Sequence, residues 1–183
     1  MRILAISGSL RASSSNAALL RAAAVLAPKG VEVALYGGIG DLPHFNPDLD
    51  VEGEAGPPAV ADFRAILRES DAVLISSPEY AHGVPGTLKN ALDWTVGSGE
   101  FVDKPVALIN ASPRSTHGQA SLTETLAAMT ASLVPDASIA LPLAGRKLDD
   151  AGIVADPALA GAIRAAVEAL ARAAEVGPAG AGG

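Results

Sequence analysis

Short apolar runs alternate with helical stripes along the whole chain. Arg2–Ile6, Ala72–Ile75 and Pro105–Ile109 are continuous runs, the pattern of parallel strands covered on both faces. Val31–Tyr36 mixes polar and apolar positions, as an edge strand does, and Ile139–Pro142 is a weaker run whose proline also suits an edge. Between them, Val60, Phe63, Ile66 and Leu67 form one helix face behind Pro57-Pro58. Leu122, Leu126, Met129 and Leu133 form another, and Leu159, Ile163, Val167 and Leu170 a third. Helical patterns also start near Asn16 and at Gly86, the latter with Leu88, Ala91 and Leu92 as its inner stripe. All these stripes read as core. The alternation predicts an α/β fold, a doubly wound three-layer sandwich. Two edge-like strands in second and fifth place predict a five-stranded parallel sheet in the order 2-1-3-4-5.

In that order a ligand sits outside the carboxyl ends of the strands. The unusual loops fall there: Ser7–Ser15 after the first strand, Ser77–Pro85 after the third and Ala111–Gly118 after the fourth. The long connection from Gly37 to Gly56 reads either as a lid or as an irregular surface segment. Residues 1–176 are expected to form one domain, and 177–183, rich in Gly, Ala and Pro, a flexible tail.

Composition narrows the chemistry. A formal net charge of −7 opposes non-specific nucleic-acid binding, so an anionic ligand has to be held by local geometry. With no cysteine there is no disulfide, thiolate metal site or cysteine nucleophile. No signal peptide and no apolar run of membrane-spanning length are visible, so a soluble cytoplasmic protein without a membrane partner is expected. Asn110-Ala111-Ser112 matches a glycosylation acceptor but closes a core strand and reads as coincidence. His44, His82 and His117 lack metal-ligand spacing, so no metal is expected. No nucleophile elbow of the Gly-x-Ser-x-Gly type is present.

The first loop, Ser7-Gly8-Ser9-Leu10-Arg11-Ala12-Ser13-Ser14-Ser15-Asn16, lies between a strand and a helix and is rich in Gly, Ser and Arg. A helix start presents unpaired N–H groups and a partial positive charge, which suits a phosphate. The loop lacks the Gly-x-Gly-x-x-Gly and Gly-x-x-x-x-Gly-Lys-Ser/Thr patterns of dinucleotide and P-loop sites. A mononucleotide phosphate fits it; the alternative is that Ser13–Asn16 only cap the helix.

Ser7-Gly8-Ser9-Leu10-Arg11 with Ser15-Asn16, then Ser77-Pro78-Glu79-Tyr80-Ala81-His82-Gly83-Val84-Pro85-Gly86-Thr87-Leu88-Lys89-Asn90-Ala91-Leu92-Asp93-Trp94 and Lys104-Pro105-Val106-Ala107, resemble the NAD(P)H-dependent FMN reductase family. The resemblance runs from about Met1 to Leu170. It implies a flavodoxin-like fold, bound FMN, NADPH or NADH as co-substrate, and a homodimer or homotetramer. It also implies an enzyme that passes a hydride from nicotinamide to FMN and then, by a ping-pong route, to a flavin, quinone or similar acceptor. The cofactor carries that chemistry, so no side chain is assigned a catalytic role. Other readings on the same fold are a flavodoxin-type electron carrier and a flavin-free binding module.

The expected cofactor-binding residues come from the three loops. Ser9, Arg11, Ser13, Ser15 and Asn16 would hold the phosphate. Pro78, Glu79, Tyr80, Ala81, His82 and Gly83 would form a stiff turn whose main chain reads the ring edge. Ser112, Arg114 and Ser115 flank the flavin in the third loop, which departs from the Gly-Gly-rich form frequent in the family. Arg114 and His117 either touch the flavin or guide the nicotinamide. Arg114, Arg146 and Lys147 are candidates for a ribose phosphate. Glu79 is expected to bond backbone or face solvent.

Overall fold

The computed structural model describes residues 1–143 and 145–177. Its strands are β1 (Arg2–Ser7), β2 (Glu32–Tyr36), β3 (Ala72–Ser76), β4 (Pro105–Asn110), β5 (Ser132–Leu133) and β6 (Ile139–Ala140). Its helices are α1 (Ser15–Leu26), α2 (Pro58–Arg68), α3 (Gly86–Asp93), α4 (Thr116–Ala128), α5 (Asp150–Ala155) and α6 (Pro157–Val176). All pairings are parallel, in the order β2-β1-β3-β4-β5, with β6 also on β4. The 2-1-3-4-5 order expected from the sequence is thus observed. The expected tail, Gly177 excepted, lies outside the described residues.

Successive strand side chains point to opposite faces, and the central strands divide accordingly. Ile3, Ala5, Ala72, Leu74, Ala107 and Ile109 join α1 and α6 in one core. Leu4, Ile6, Val73, Ile75, Val106 and Leu108 join α2, α3 and α4 in the other. The first face carries alanine from strands and helix alike, including Ala18, Ala22, Ala23 and Ala166, which lets the helices lie close to the sheet. The second is filled by larger side chains, with Phe63, Trp94 and Phe101 fully buried.

The fifth position in the sheet differs from expectation. It holds two short strands: β5 pairs with Pro105 and Val106, β6 with Ile109 and Asn110. A 3-10 turn, Pro135–Ala137, separates them. The Ser138 hydroxyl bridges the interruption, accepting from Leu108 N at 3.1 Å and donating to Val134 O at 3.0 Å. Leu133 accordingly belongs to a strand and not to the α4 stripe. Helix α4 stops because Thr130 turns left-handed (φ 56°), with Ala131 N bonding Leu126 O and Thr130 N bonding Ala127 O. That is a Schellman ending with threonine in the place glycine usually takes, so no sequence signal marks it.

The 37–56 connection is an irregular surface segment tied down by α2 and α3. Ile39 and Leu42 are buried beneath it. Trp94 Nε1 and Asn90 Nδ2 donate to Pro43 O at 2.8 and 3.0 Å, and Asn90 Oδ1 accepts from Phe45 N at 2.7 Å. Phe45 meets the Trp94 ring edge-on at 5.1 Å. Arg64, nearly buried, holds Asp50 at 2.6 Å and donates through Nε to Trp94 O at 2.8 Å. Replacing Arg64 strands a poorly solvated carboxylate and a buried carbonyl together. Arg64→Met is therefore expected to lower stability by about 3–5 kcal/mol in urea unfolding. A loss below 1 kcal/mol would show that Asp50 finds water instead.

Candidate functional site

The carboxyl ends of β1, β3 and β4 lie side by side because the strands are parallel and in register: Ser7 pairs with Ser76, and Ile75 with Leu108. The three unusual loops therefore meet at one rim. Gly8 N donates to Ser76 O at 2.9 Å, extending the β1–β3 ladder by a residue. A Cβ on Gly8 would lie 2.5 Å from Ser77 Oγ and 3.1 Å from Leu88, so only glycine lets the first two loops approach this closely.

After Gly8 the first loop folds on its own hydroxyls. Arg11 N donates to Ser9 Oγ at 3.3 Å and Arg11 Nε to Ser13 Oγ at 3.0 Å. Ser14 is the N-cap of α1, its hydroxyl accepting from Ala17 N at 3.3 Å. The caps leave the N–H groups of Ser15 and Asn16 without a protein partner among the described residues. They stand at the positive end of a twelve-residue helix. Asn16 is buried, and its Oδ1 accepts from Ser76 Oγ at 3.0 Å, so part of its side chain is engaged by the end of β3.

The second loop is a two-residue hairpin. Tyr80 and Gly83 exchange both backbone hydrogen bonds, at 3.1 and 2.9 Å, and the residues between them, Ala81 (φ 48°) and His82 (φ 62°), are both left-handed. This is the geometry that Asn-Gly pairs usually supply, so each of these two residues costs about 1–2 kcal/mol of backbone strain. The N–H groups of Glu79, Ala81 and His82 have no protein partner among the described residues.

Glu79 joins this loop to the third. Its Oε2 accepts from Gly118 N, in the first turn of α4, at 2.8 Å, which satisfies one orphan donor of that helix. Bonding to backbone was one of its two expected roles. A Cβ on Gly118 would stand 3.1 Å from Glu79 Cβ and Cγ, so the glycine here serves close packing. Asn110, the last residue of β4, shapes the third loop: its Oδ1 accepts from Ser112 N at 2.9 Å and its Nδ2 donates to Ser115 O at 3.3 Å.

Among the described residues, two cavities adjoin the first loop at the rim. One of about 210 Å³ lies among all three loops, lined by Ser15, Asn16, Pro78, Glu79, Asn110, Ala111, Ser112 and Ser115. The other, about 490 Å³, adjoins it through Ser15 and is lined by Arg11, Ser13, Ser14, Arg21 and Lys147 among others. Of the expected residues, Ser9, Tyr80, Ala81, His82, Gly83 and Arg114 line neither cavity. Arg114 is exposed. Arg146 is engaged with Asp156 at 2.8 Å. Asn110 and Arg21 were not singled out from sequence. A polar residue closing a fully buried strand was the available signal for Asn110; nothing local distinguishes Arg21.

Among the described residues three groups have displaced pKa values, and none belongs to these loops. Burial, with Asp41 and Asp62 nearby, raises Tyr36. Burial lowers Lys104, opposed by Asp71 and Glu100. Hydrogen bonds from Arg146 and from the first turn of α6 lower the partly exposed Asp156. No described helix is long and apolar enough to cross a membrane.

Residues 1–145 match the model of a family described as NADPH-dependent FMN reductase. An NAD(P)H-dependent FMN reductase of Pseudomonas aeruginosa is 36% identical over 162 residues, covering 82% of this chain and 86% of that protein. A probable NADPH:quinone oxidoreductase of rice (Oryza sativa subsp. japonica) is 43% identical over 117 residues, 61% of this chain; the match spans only 56% of the rice protein. Among solved structures, the NAD(P)H:acceptor flavoenzyme FerB of Paracoccus denitrificans superposes with a TM-score of 0.78 at 29% identity, covering 96% of this chain and 98% of that one.

The Glu79–Gly118 link is directly testable. Glu79→Ala frees a helix donor and unties two loops, so the amides of 116–118 should exchange hydrogen at least about tenfold faster than in the parent, the equivalent of losing about 1.5 kcal/mol of charge-assisted bonding. Unchanged exchange at Gly118 would mean that water replaces the carboxylate without loss.

Proposed function

The chain belongs to the NADPH-dependent FMN reductase family, and from that premise we propose that it binds FMN across the three rim loops and reduces a quinone or flavin at the expense of NAD(P)H. The observation that carries this reading is the set of unpartnered backbone N–H groups at the rim: Ser15 and Asn16 at the start of α1, and Glu79, Ala81 and His82 in the hairpin. The first pair suits a phosphate and the second set the polar edge of a flat heterocycle. The donor chemistry therefore fits FMN.

In this reading Ser9, Arg11, Ser13 and Ser15 hold the phosphate, Arg11 adding a charged, directional donor. Asn16 positions the helix start through Ser76. Pro78–Gly83 present main chain to the ring, and Ser112, Arg114 and Ser115 border its opposite side. Bound FMN would supply hydride acceptance and donation; the protein supplies position and access. An open ring face lets nicotinamide and acceptor take turns, a ping-pong order. The family resemblance extends the proposal to a homodimer or homotetramer acting in the cytoplasm. Exposed Leu49, Val51 and Val96 offer apolar surface for self-association, which light scattering after gel filtration would measure.

Arg11→Ala should weaken FMN binding about ten- to a hundredfold, corresponding to ~1.5–3 kcal/mol for a charge-assisted bond, read by recovery of flavin fluorescence on dilution. An unchanged dissociation constant would remove Arg11 from the site. Steady NADPH or NADH oxidation by the FMN-loaded protein with a quinone is the expected activity. Bound flavin without turnover would favour an electron carrier, and a colourless protein that takes up no FMN would end the flavin reading.

A further inference from the structure

His82 and His117 lie 35 positions apart in sequence, yet their rings stack with centroids 4.3 Å apart and planes 19° from parallel. His82 is the second residue of the left-handed hairpin, and His117 the second residue of α4. The Glu79–Gly118 bond beside them fixes their two elements together. Both side chains are exposed, and among the described residues no hydrogen bond or ion pair engages their ring nitrogens. The charged groups on these two loops are Glu79, already bonded to Gly118 N, and Arg114.

The stack is costly to place and contributes nothing to the core. Holding a β-substituted residue such as histidine at φ 62° is unfavourable, and an exposed ring pair buries little area in return. His82 lies three residues from Glu79, which lines the inner cavity, so strain at this exposed side chain points to a use beyond packing. Stacked imidazoles present a flat, polarisable wall with N–H and N groups at its edge, which suits a planar carbonyl compound.

We infer that the His82–His117 pair receives the electron acceptor: it seats a planar quinone and delivers the proton that the hydride does not bring. This rests on the flavin reductase reading above. The balance is NAD(P)H + quinone + H⁺ → NAD(P)⁺ + hydroquinone. The hydride adds two electrons and one proton to the quinone. An imidazolium N–H bond then breaks as an O–H bond forms on the quinone oxygen, and solvent reprotonates the ring. Ferricyanide, taking single electrons and no proton, needs neither service.

The test compares wild type with His82→Asn and His117→Gln. Asparagine tolerates the left-handed backbone, so the hairpin survives the first change. The ratio of kcat/KM for a naphthoquinone to that for ferricyanide should fall at least about tenfold in each variant, within the range that positioned proton donors contribute. A second readout needs no turnover: imidazole NMR signals of the wild-type chain during titration with the corresponding naphthohydroquinone. The signals of His82 and His117 should move while those of His44 stay. Equal losses with both acceptors would reduce the pair to a structural role and overturn the inference. So would a fall in FMN affinity by the same factor, which would place the rings in the flavin's own seat, or ring signals that ignore the hydroquinone. A wild-type chain that binds no flavin defeats the reductase reading by itself, while the titration still reports on the pair.

Discussion

One hydrogen bond, from Gly118 N to the Glu79 carboxylate, holds the working end of this molecule together. Among the described residues, it spans a rim junction that the sheet itself leaves open. Between the first two loops the ladder continues past the strands, through Gly8 N to Ser76 O. Between the second and third loops no such backbone bond exists among the described residues, and β3 and β4 already part after Ile75 and Leu108. A charged acceptor on the first turn of α4 fills that gap with an interaction about twice as strong as a neutral bond. Gly118 makes it possible, since a methyl group there would press on Glu79 at 3.1 Å. This contact joins the segment leading into the hairpin to the first turn of α4, with the small cavity and the histidine stack beside it.

In the proposed function a strongly acidic chain has to attract an anion at this rim. With a formal charge of −7 the long-range field repels phosphates, so binding has to come from donors fixed at short range. Backbone N–H groups of Ser15 and Asn16 carry no net charge, yet the helix dipole aims them at one point. Arg11 is held by Ser13, which limits the rotamer freedom it would lose on binding. Preorganisation replaces bulk charge.

Most of the layout was legible because it rests on local rules. Continuous apolar runs gave β1, β3 and β4, and the i, i+3, i+4 stripes gave α2 and α6, whose Phe63, Leu67, Ile163 and Val167 are all fully buried. The loops that meet at the rim follow from strand order alone. What escaped was set by side-chain geometry. Thr130 took a left-handed turn with no glycine to announce it, so the α4 stripe read on to Leu133. Ser138 replaced a backbone pairing with its hydroxyl, which hid the break in the fifth strand position. Helix α5 is one and a half turns long, too short for a periodic signal, and stands on Asp149 capping Gly152 N at 2.8 Å. The site residues were chosen as loop neighbours, and the structure separates them by depth: Ser15, Asn16, Glu79 and Ser112 face the inner cavity, while Arg114 stays at the surface.

The same separation by depth explains why two kinds of residue occupy the rim. Inner positions are held rigidly: Asn16 by Ser76, Glu79 by Gly118, Ser112 and Ser115 by Asn110. A group whose hydrogen bonds are spent on its neighbours positions main-chain donors but has little left for chemistry of its own, which suits a site where a cofactor reacts. Outer positions are exposed, and they include Arg11, whose side chain is bonded, among the described residues, only to Ser13 of its own loop, and Arg114, His82 and His117. In the proposed function, rigid donors inside and exposed cations and imidazoles outside would suit a cofactor that stays while its partners come and go. Specificity among those partners would then reside in these outer side chains, among them the imidazole that the left-handed hairpin places.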